Sequence, residues 1–241
     1  MEQKEKLNLE KPEHQKLLSA ELVAVSGLSI IAVLGFARIT NRLIKNNLNP
    51  FRTDIKVMNY LNNIESPWLT KILKFITSLA SVEVIPFLAG AWTFLFVKSK
   101  HNKAQSFDIP VIAIGSEVLN LLFKARFKRN RPIQNAIRVS GWSYPSGHAM
   151  ESMSFYGLMI YSLFKSNKLP KWLVYTGSAS LVGLIAMIGI SRSYLKVHYP
   201  SDVVAGYSLG LLWLVSSITL IRGGEMLFKK TFNNVEEVTI A

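Results

Sequence analysis

The chain of 241 residues contains no cysteine. That excludes a disulfide framework, a thiolate metal site and a thiol nucleophile. Charge is scarce as well. Asp, Glu, Lys and Arg make up 18% of the residues against 49% hydrophobic ones, and mean hydropathy is +0.25. A soluble protein needs a more polar surface than that. Acids are the scarcest charges: 15 Asp and Glu face 28 Lys and Arg, a net charge of +13. Such a surplus can serve nucleic acid. Here the cations sit in short segments between long apolar runs, where they contact lipid headgroups and fix topology. No nucleic-acid motif interrupts them, so no nucleic-acid partner is expected. A cleavable leader is not expected either. Met1 to Lys16 carries charges of both signs, and the first apolar run is too long for a signal core, so it reads as a retained span.

What is present is a series of apolar runs near the ~20 residues that a bilayer-spanning helix needs. Six are expected as spans, at about 17–37, 79–97, 107–123, 149–164, 172–190 and 203–221. Between the first two, Ile55, Met58, Leu61 and Ile64 recur at helical spacing after Thr53, a candidate N-cap. After Pro67, a second stretch sets Trp68, Leu69, Ile72, Phe75, Ile76 and Leu79 against Lys71 and Lys74. Both read as helices lying in the membrane interface. The expected fold is all-α: one polytopic membrane domain over residues 1–241, with six transmembrane helices plus interfacial helices between the first and second spans. Positive charge is nearly balanced between the two sides. The basic hairpins Lys98 to Lys103 and Lys165 to Lys171 favour cytoplasmic termini, which places the segment around Asn135 outside.

Three polar islands remain at span ends: Lys124 to Pro132, Pro145 to His148, and Ser191 to Asp202. The first two lie between spans three and four, and the third between spans five and six. One hairpin separates those loops, so parity puts them on the same face of the membrane. Each island has a plain explanation alone: headgroup anchors, a Pro-Ser-Gly turn, a helix pair at His198 and Asp202. Together they assemble three cations, two histidines and a carboxylate, a set suited to phosphoryl transfer. Negative charge spreads over the phosphoryl oxygens in the transition state, and fixed donors stabilise it. Lys124, Arg131 and Arg192 supply cations. Ser146 and Gly147 precede an expected helix start, where free N–H groups receive anions. His198 is the candidate nucleophile, Asp202 the candidate acceptor of its ring N–H, and His148 the candidate proton donor to the leaving group.

These residues resemble the type 2 phosphatidic acid phosphatase family, which also includes vanadium haloperoxidases and glucose-6-phosphatase. Its pattern is Lys-x6-Arg-Pro, then Pro-Ser-Gly-His, then Ser-Arg-x5-His-x3-Asp, and all three parts stand here without substitution. The resemblance implies a metal-independent phosphatase without a cofactor, acting through a phosphohistidine at His198. It implies His148 as general acid, Asp202 as partner of His198, and Lys124, Arg131, Ser146, Gly147 and Arg192 around the phosphate. It also implies a helical bundle in the plasma membrane with its site near the outer surface. A compact six-span chain looks like the bacterial phosphatidylglycerophosphate and undecaprenyl-diphosphate phosphatases, with phosphatidic acid a further substrate; the partners are then a lipid phosphate and the bilayer. A vanadate-dependent haloperoxidase and a non-enzymatic lipid-binding or transport protein are the alternatives. Among neighbouring residues, Glu117 and Glu151 are candidates to orient a basic group. Tyr144 and Trp142 are candidates for the substrate entrance or the interfacial aromatic belt, and Lys128 and Arg129 for anchoring or attracting phosphate. Oligomeric state is not legible.

Overall fold

A long apolar run inside lipid satisfies its own backbone only as a helix, and helices account for the expected runs. The computed structural model describes residues 12–98, 103–132, 139–166 and 169–240. They form α1 (Pro12–Lys45), α2 (Arg52–Asn63), α3 (Pro67–Ser78), α4 (Val84–Lys98), α5 (Lys103–Phe127), α6 (Gly147–Lys165), α7 (Lys171–Tyr194) and α8 (Pro200–Ile240). No strand occurs among the described residues. The segment around Asn135 lies outside them.

The expected boundaries shift in places for local reasons. The second run becomes helical only at Val84, because the chain turns through Leu79–Glu83 and the Ser81 hydroxyl accepts the Val84 N–H at 3.3 Å. α2 is capped at Phe51, not Thr53: the Phe51 N–H donates to Asp54 Oδ2 at 3.0 Å. α3 begins on Pro67, with the Ser66 hydroxyl accepting from the Leu69 N–H.

By length and composition, three helical segments among the described residues can cross a membrane: Ser26–Lys45, Lys171–Tyr194 and Pro200–Arg222, with Val84–Phe94 shorter. α5 and α6, where the third and fourth spans are expected, fall outside that set. They carry Asp108, Glu117 and Lys124, and Glu151, Ser152 and Ser154 respectively. Ser116, Asn120, Ser152 and Ser154 are buried, while Ile31, Phe87, Ile114, Leu122 and Leu220 are exposed. Polar atoms inside and large apolar side chains outside is the arrangement of a protein solvated by lipid tails.

α6 packs against α5, α7 and α8, and α1 lies on α8. Gly206 and Gly210 make the α6–α8 approach possible. A Cβ at either would come within 2.5 Å of the Ser146 or Met150 carbonyl oxygen. This contact joins the Pro-Ser-Gly-His island to the start of α8. α3 packs on α7 through Leu69, Leu73 and Ile76 against Tyr194, Leu195 and Val197, leaving Trp68 and Phe75 exposed. In α2 the apolar Ile55 is exposed and the buried residue is Asp54.

Candidate active site

The polar islands meet at one end of the bundle. Arg192 closes α7, the chain turns, and its carbonyl accepts the Val197 and His198 N–H groups at 3.1 and 3.3 Å. Pro200 opens α8, whose first turn carries Asp202. His198 is thereby held between two helix ends, 2% exposed. Its Nδ1 donates to the Ser143 carbonyl oxygen at 2.7 Å, so its lone pair lies on Nε2, which Arg131 Nη1 approaches at 3.2 Å. Arg131 is itself braced by the carbonyls of Gly141 and Val197, each at 2.9 Å, and of Ser140 at 3.2 Å.

The remaining expected phosphate ligands converge on the same place. Lys124 ends α5 beside Gly147, where its Nζ is 3.4 Å from the point a Cβ would occupy, and Asn120 Oδ1 is 3.0 Å from it. Any side chain there would crowd the lysine. Arg192 is buried, with Nη1 donating to Thr77 Oγ1 at 2.9 Å and Nε without a partner. Ser146 is buried too, its N–H donating to the Asp202 carbonyl at 3.0 Å and its hydroxyl unpartnered. Buried donors without acceptors are costly, about 1–3 kcal/mol each. Two of them beside three cations describe a site shaped for an anion.

Electrostatics follow from this crowding. Burial, then the charges of Arg192, Arg131 and Lys124, hold His198 well below the usual histidine range. Burial, then Arg192, His198, Lys124 and Arg131, do the same to His148. Lys124 is lowered by burial and then by Arg131, and Arg131 by burial. Both histidines are therefore neutral when no anion is bound.

One expected contact differs. Asp202 does not take the His198 ring N–H: its Oδ2 is 3.8 Å from Nδ1, and the Ser143 carbonyl occupies that role. Asp202 is instead bonded by Arg129 Nη1, by the Ser143 hydroxyl at 2.5 Å and by the Tyr199 N–H at 2.8 Å. The i, i+4 spacing does bring Asp202 beside the histidine, but closer donors saturate it. Tyr144 also differs: it is fully buried, bonded to Thr40 at 2.6 Å and packed on Phe36 and Phe127, neither an entrance nor a belt residue. Trp142 is 39% exposed, as a belt residue is. Among the described residues neither Glu117 nor Glu151 hydrogen-bonds a basic group, though the Glu117 charge acts on Lys124; both line a groove between α4 and α5, Glu151 from α6 near Ser116.

Sequence reasoning missed Ser143, Asn120, Thr77 and Asp54, and left Arg129 between anchoring and attracting phosphate. Arg129 is 1% exposed and pairs with both Asp54 and Asp202. Breaking such a buried pair costs roughly 3–5 kcal/mol, because a charge is left uncompensated. The available signal for Asp54 was weak, since the sole acid of α2 in its first turn reads as a partner of the helix dipole.

Residues 105–223 match the PAP2 superfamily model. The chain is similar to phosphatidylglycerophosphatase B of Bacillus subtilis (strain 168), at 35% identity over 160 residues, covering 62% of this chain and 73% of that protein. It is similar to the lipid A 4'-phosphatase of Bacteroides thetaiotaomicron, at 27% identity over 173 residues, covering 65% of this chain and 72% of that protein. The crystal structure of a transmembrane PAP2-type phosphatidylglycerolphosphate phosphatase from Bacillus subtilis superposes with a TM-score of 0.66 and 25% identity, over 84% of this chain and 96% of that one.

Proposed function

This chain belongs to the PAP2 superfamily and is a membrane-embedded phosphoric ester hydrolase, and from that premise we propose that it removes phosphate from a membrane lipid through a phosphohistidine at His198. The observation that carries the reading is the state of His198: a neutral imidazole with Nδ1 tied back and Nε2 turned toward Arg131. In the first step Nε2 bonds to phosphorus as the bond to the lipid oxygen breaks, and His148 gives that oxygen a proton. In the second, water attacks the phosphohistidine, His148 takes the water proton, and inorganic phosphate leaves. Lys124, Arg131, Arg192, Ser146 and the N–H of Gly147 bind the equatorial oxygens, whose charge peaks in both transition states. Asp202 acts through the residues it holds and through its charge, not by a direct bond to the ring. No metal or cofactor enters these steps.

His148 must be charged to act as an acid, yet burial and then the cations around it hold it well below the usual histidine range in the empty site. The incoming phosphate reverses that balance. Binding the anion and protonating His148 are thus coupled, and the donor becomes competent only with substrate in place.

A lipid chain has a matching place. The groove between α4 and α5 encloses about 590 Å³ and is lined by Ile85, Ala89, Gly90, Phe94, Ala113 and Ile114, among others. Phosphatidylglycerophosphate, undecaprenyl diphosphate and phosphatidic acid are the substrates to compare. The proposed topology has six spans in the plasma membrane, both termini cytoplasmic and the site facing outward. The test is phosphate release from those three lipids by the purified protein in detergent containing EDTA. Release from at least one is expected, with loss in His198→Ala. Silence on all three, or undiminished turnover by His198→Ala, would refute the reading.

A further inference from the structure

We propose that Asp54 and Arg129 are positioning residues of the reaction, acting on His198 through Ser201, Asp202 and Ser143. The proposal rests on the lipid-phosphatase reading above. Arg129 occupies a variable position of the first motif, and Asp54 lies outside all three, on α2, which the sequence places at the membrane interface.

The Arg129 guanidinium joins two carboxylates from distant parts of the chain. Nη2 reaches Asp54 Oδ2 at 3.3 Å, and Nη1 reaches Asp202 Oδ1 and, at 2.9 Å, the Ser201 hydroxyl. Nε donates to the Leu48 carbonyl at 3.0 Å, and the guanidinium lies 4.4 Å from the centre of the Tyr199 ring. A planar fork satisfies all of these at once, whereas an ammonium would not. Asp54 meanwhile accepts the Ser201 N–H at 2.9 Å and the Ser201 hydroxyl at 2.7 Å. The first turn of α8 is therefore gripped from α2 and from the loop after α5 together.

That grip is transmitted to the nucleophile through Ser143. The Ser143 N–H donates to the Arg129 carbonyl at 2.8 Å, and its hydroxyl donates to Asp202 Oδ2 at 2.5 Å. Its carbonyl accepts the His198 Nδ1–H at 2.7 Å. The tautomer that exposes the Nε2 lone pair thus depends on one residue, Ser143, held by the Arg129 carbonyl on one side and by the Asp202 carboxylate on the other. Among the described residues, the side-chain hydrogen bonds of Asp54 and Arg129 join them to each other, to Leu48, Asn49 and Phe51, and to Ser201 and Asp202, not to Lys124, Arg131 or Arg192. Removing either should therefore disturb the attack and not the capture of phosphate.

A simple staple holding α2 to the bundle would also be buried and bonded, so the test needs a readout that a staple does not move. The chain has four histidines. In protein labelled with ¹⁵N at histidine and held in detergent, the bonded Nδ1–H of His198 gives a slowly exchanging resonance, assigned by its loss in His198→Ala. Asp54→Asn and Arg129→Gln are expected to weaken that resonance in favour of the other tautomer. They should also lower kcat on a lipid phosphate about 10- to 100-fold with KM within about twofold. The double variant should be no worse than Arg129→Gln alone, because the two act as one unit. Ser201→Ala, which removes one hydroxyl and no charge, should move both readouts less in the same direction, and it decides the matter if the charge variants do not fold.

Variants that keep the wild-type resonance overturn the route through Ser143, whatever their melting temperature. A shifted tautomer with wild-type kcat overturns the positioning role. If the wild-type protein hydrolyses no lipid phosphate, the functional reading fails, and the resonance alone still decides whether Asp54 and Arg129 set the imidazole.

Discussion

Two regions share helix α5 and are built on opposite rules. Around its Lys124 end, buried polar atoms are held by dense hydrogen bonding: Arg129, Ser143, Ser201 and Asp202 bond one another and their neighbours. Along the middle of α5 the groove wall is mainly apolar, and α6 adds the buried Glu151 carboxyl to it. In the first region, the orphaned donors, Ser146 Oγ and Arg192 Nε, belong to residues of the phosphate motifs. Both are donors, the kind of group that an anion satisfies; Asn120 Oδ1, also buried without a partner beside Gly147, is an acceptor and is not explained by the phosphate. The groove needs no such fixing, since apolar burial is not directional. On the proposed reading, chemistry and lipid recognition should therefore respond to different mutations.

The largest expected effect falls wholly on the polar end. His198→Ala should cut phosphate release by on the order of 10⁴-fold or more while lipid binding persists, read by turnover beside retention of radiolabelled substrate. Loss of both together would mean that the regions are not separable. Next comes Arg192→Gln, which removes a transition-state cation and strands Thr77 Oγ1. A fall in kcat of about 10²–10³-fold is expected, measured at saturating lipid. An unchanged kcat would move the phosphate away from α7.

A smaller and more diagnostic effect lies in the pH profile. Burial and the surrounding cations hold His148 well below the ordinary histidine range in the empty site. kcat/KM reports the free enzyme, so it should decline as pH rises from a low value. kcat reports the complex, where bound phosphate raises His148, so its basic limb should lie at higher pH. The second ionisation of the substrate phosphate, near pH 6, acts on the acid limb only. Coincident basic limbs would remove His148 as the substrate-gated acid. Because two histidines interact, the limbs belong to the pair.

The sequence was most legible where chemistry demands fixed residue types. Lys124, Arg131, Ser146, Gly147, Arg192, His198 and Asp202 come to one end of the bundle as their spacing at helix ends suggested, although Asp202 does not take the His198 ring N–H. What was hidden is carried by backbone groups and by tertiary contact. The Ser143 carbonyl orients His198, yet any residue supplies a carbonyl, so no side-chain pattern announces it. Asp54 was masked by its own helix, whose apolar spacing suggested that Ile55 and its neighbours were the buried face. Arg129 stood in a basic run where anchoring is the common reason for a cation. The interior polarity of α5 and α6 likewise lowered their hydropathy, since a helix lining a polar core need not be apolar all round.

The smallest effect, and the sharpest cut between the regions, belongs to Gly90 on α4. A Cβ added there meets nothing within 4 Å, and the residue lines the groove. Gly90→Leu therefore fits without strain and fills space that a lipid chain would use. In a helix interior the change should also stabilise α4, by about 0.5–1 kcal/mol. Losing a few methylenes of chain contact is worth about 1–3 kcal/mol, or roughly 10- to 200-fold in kcat/KM. That loss should appear with long-chain lipid phosphates and vanish with a short-chain, water-soluble phosphomonoester, whose reacting group meets the unaltered polar end. Parallel assays on the two substrates decide it. Equal losses would mean that α4 acts on the chemistry through α5, and equal retention would place the lipid chain somewhere other than this groove.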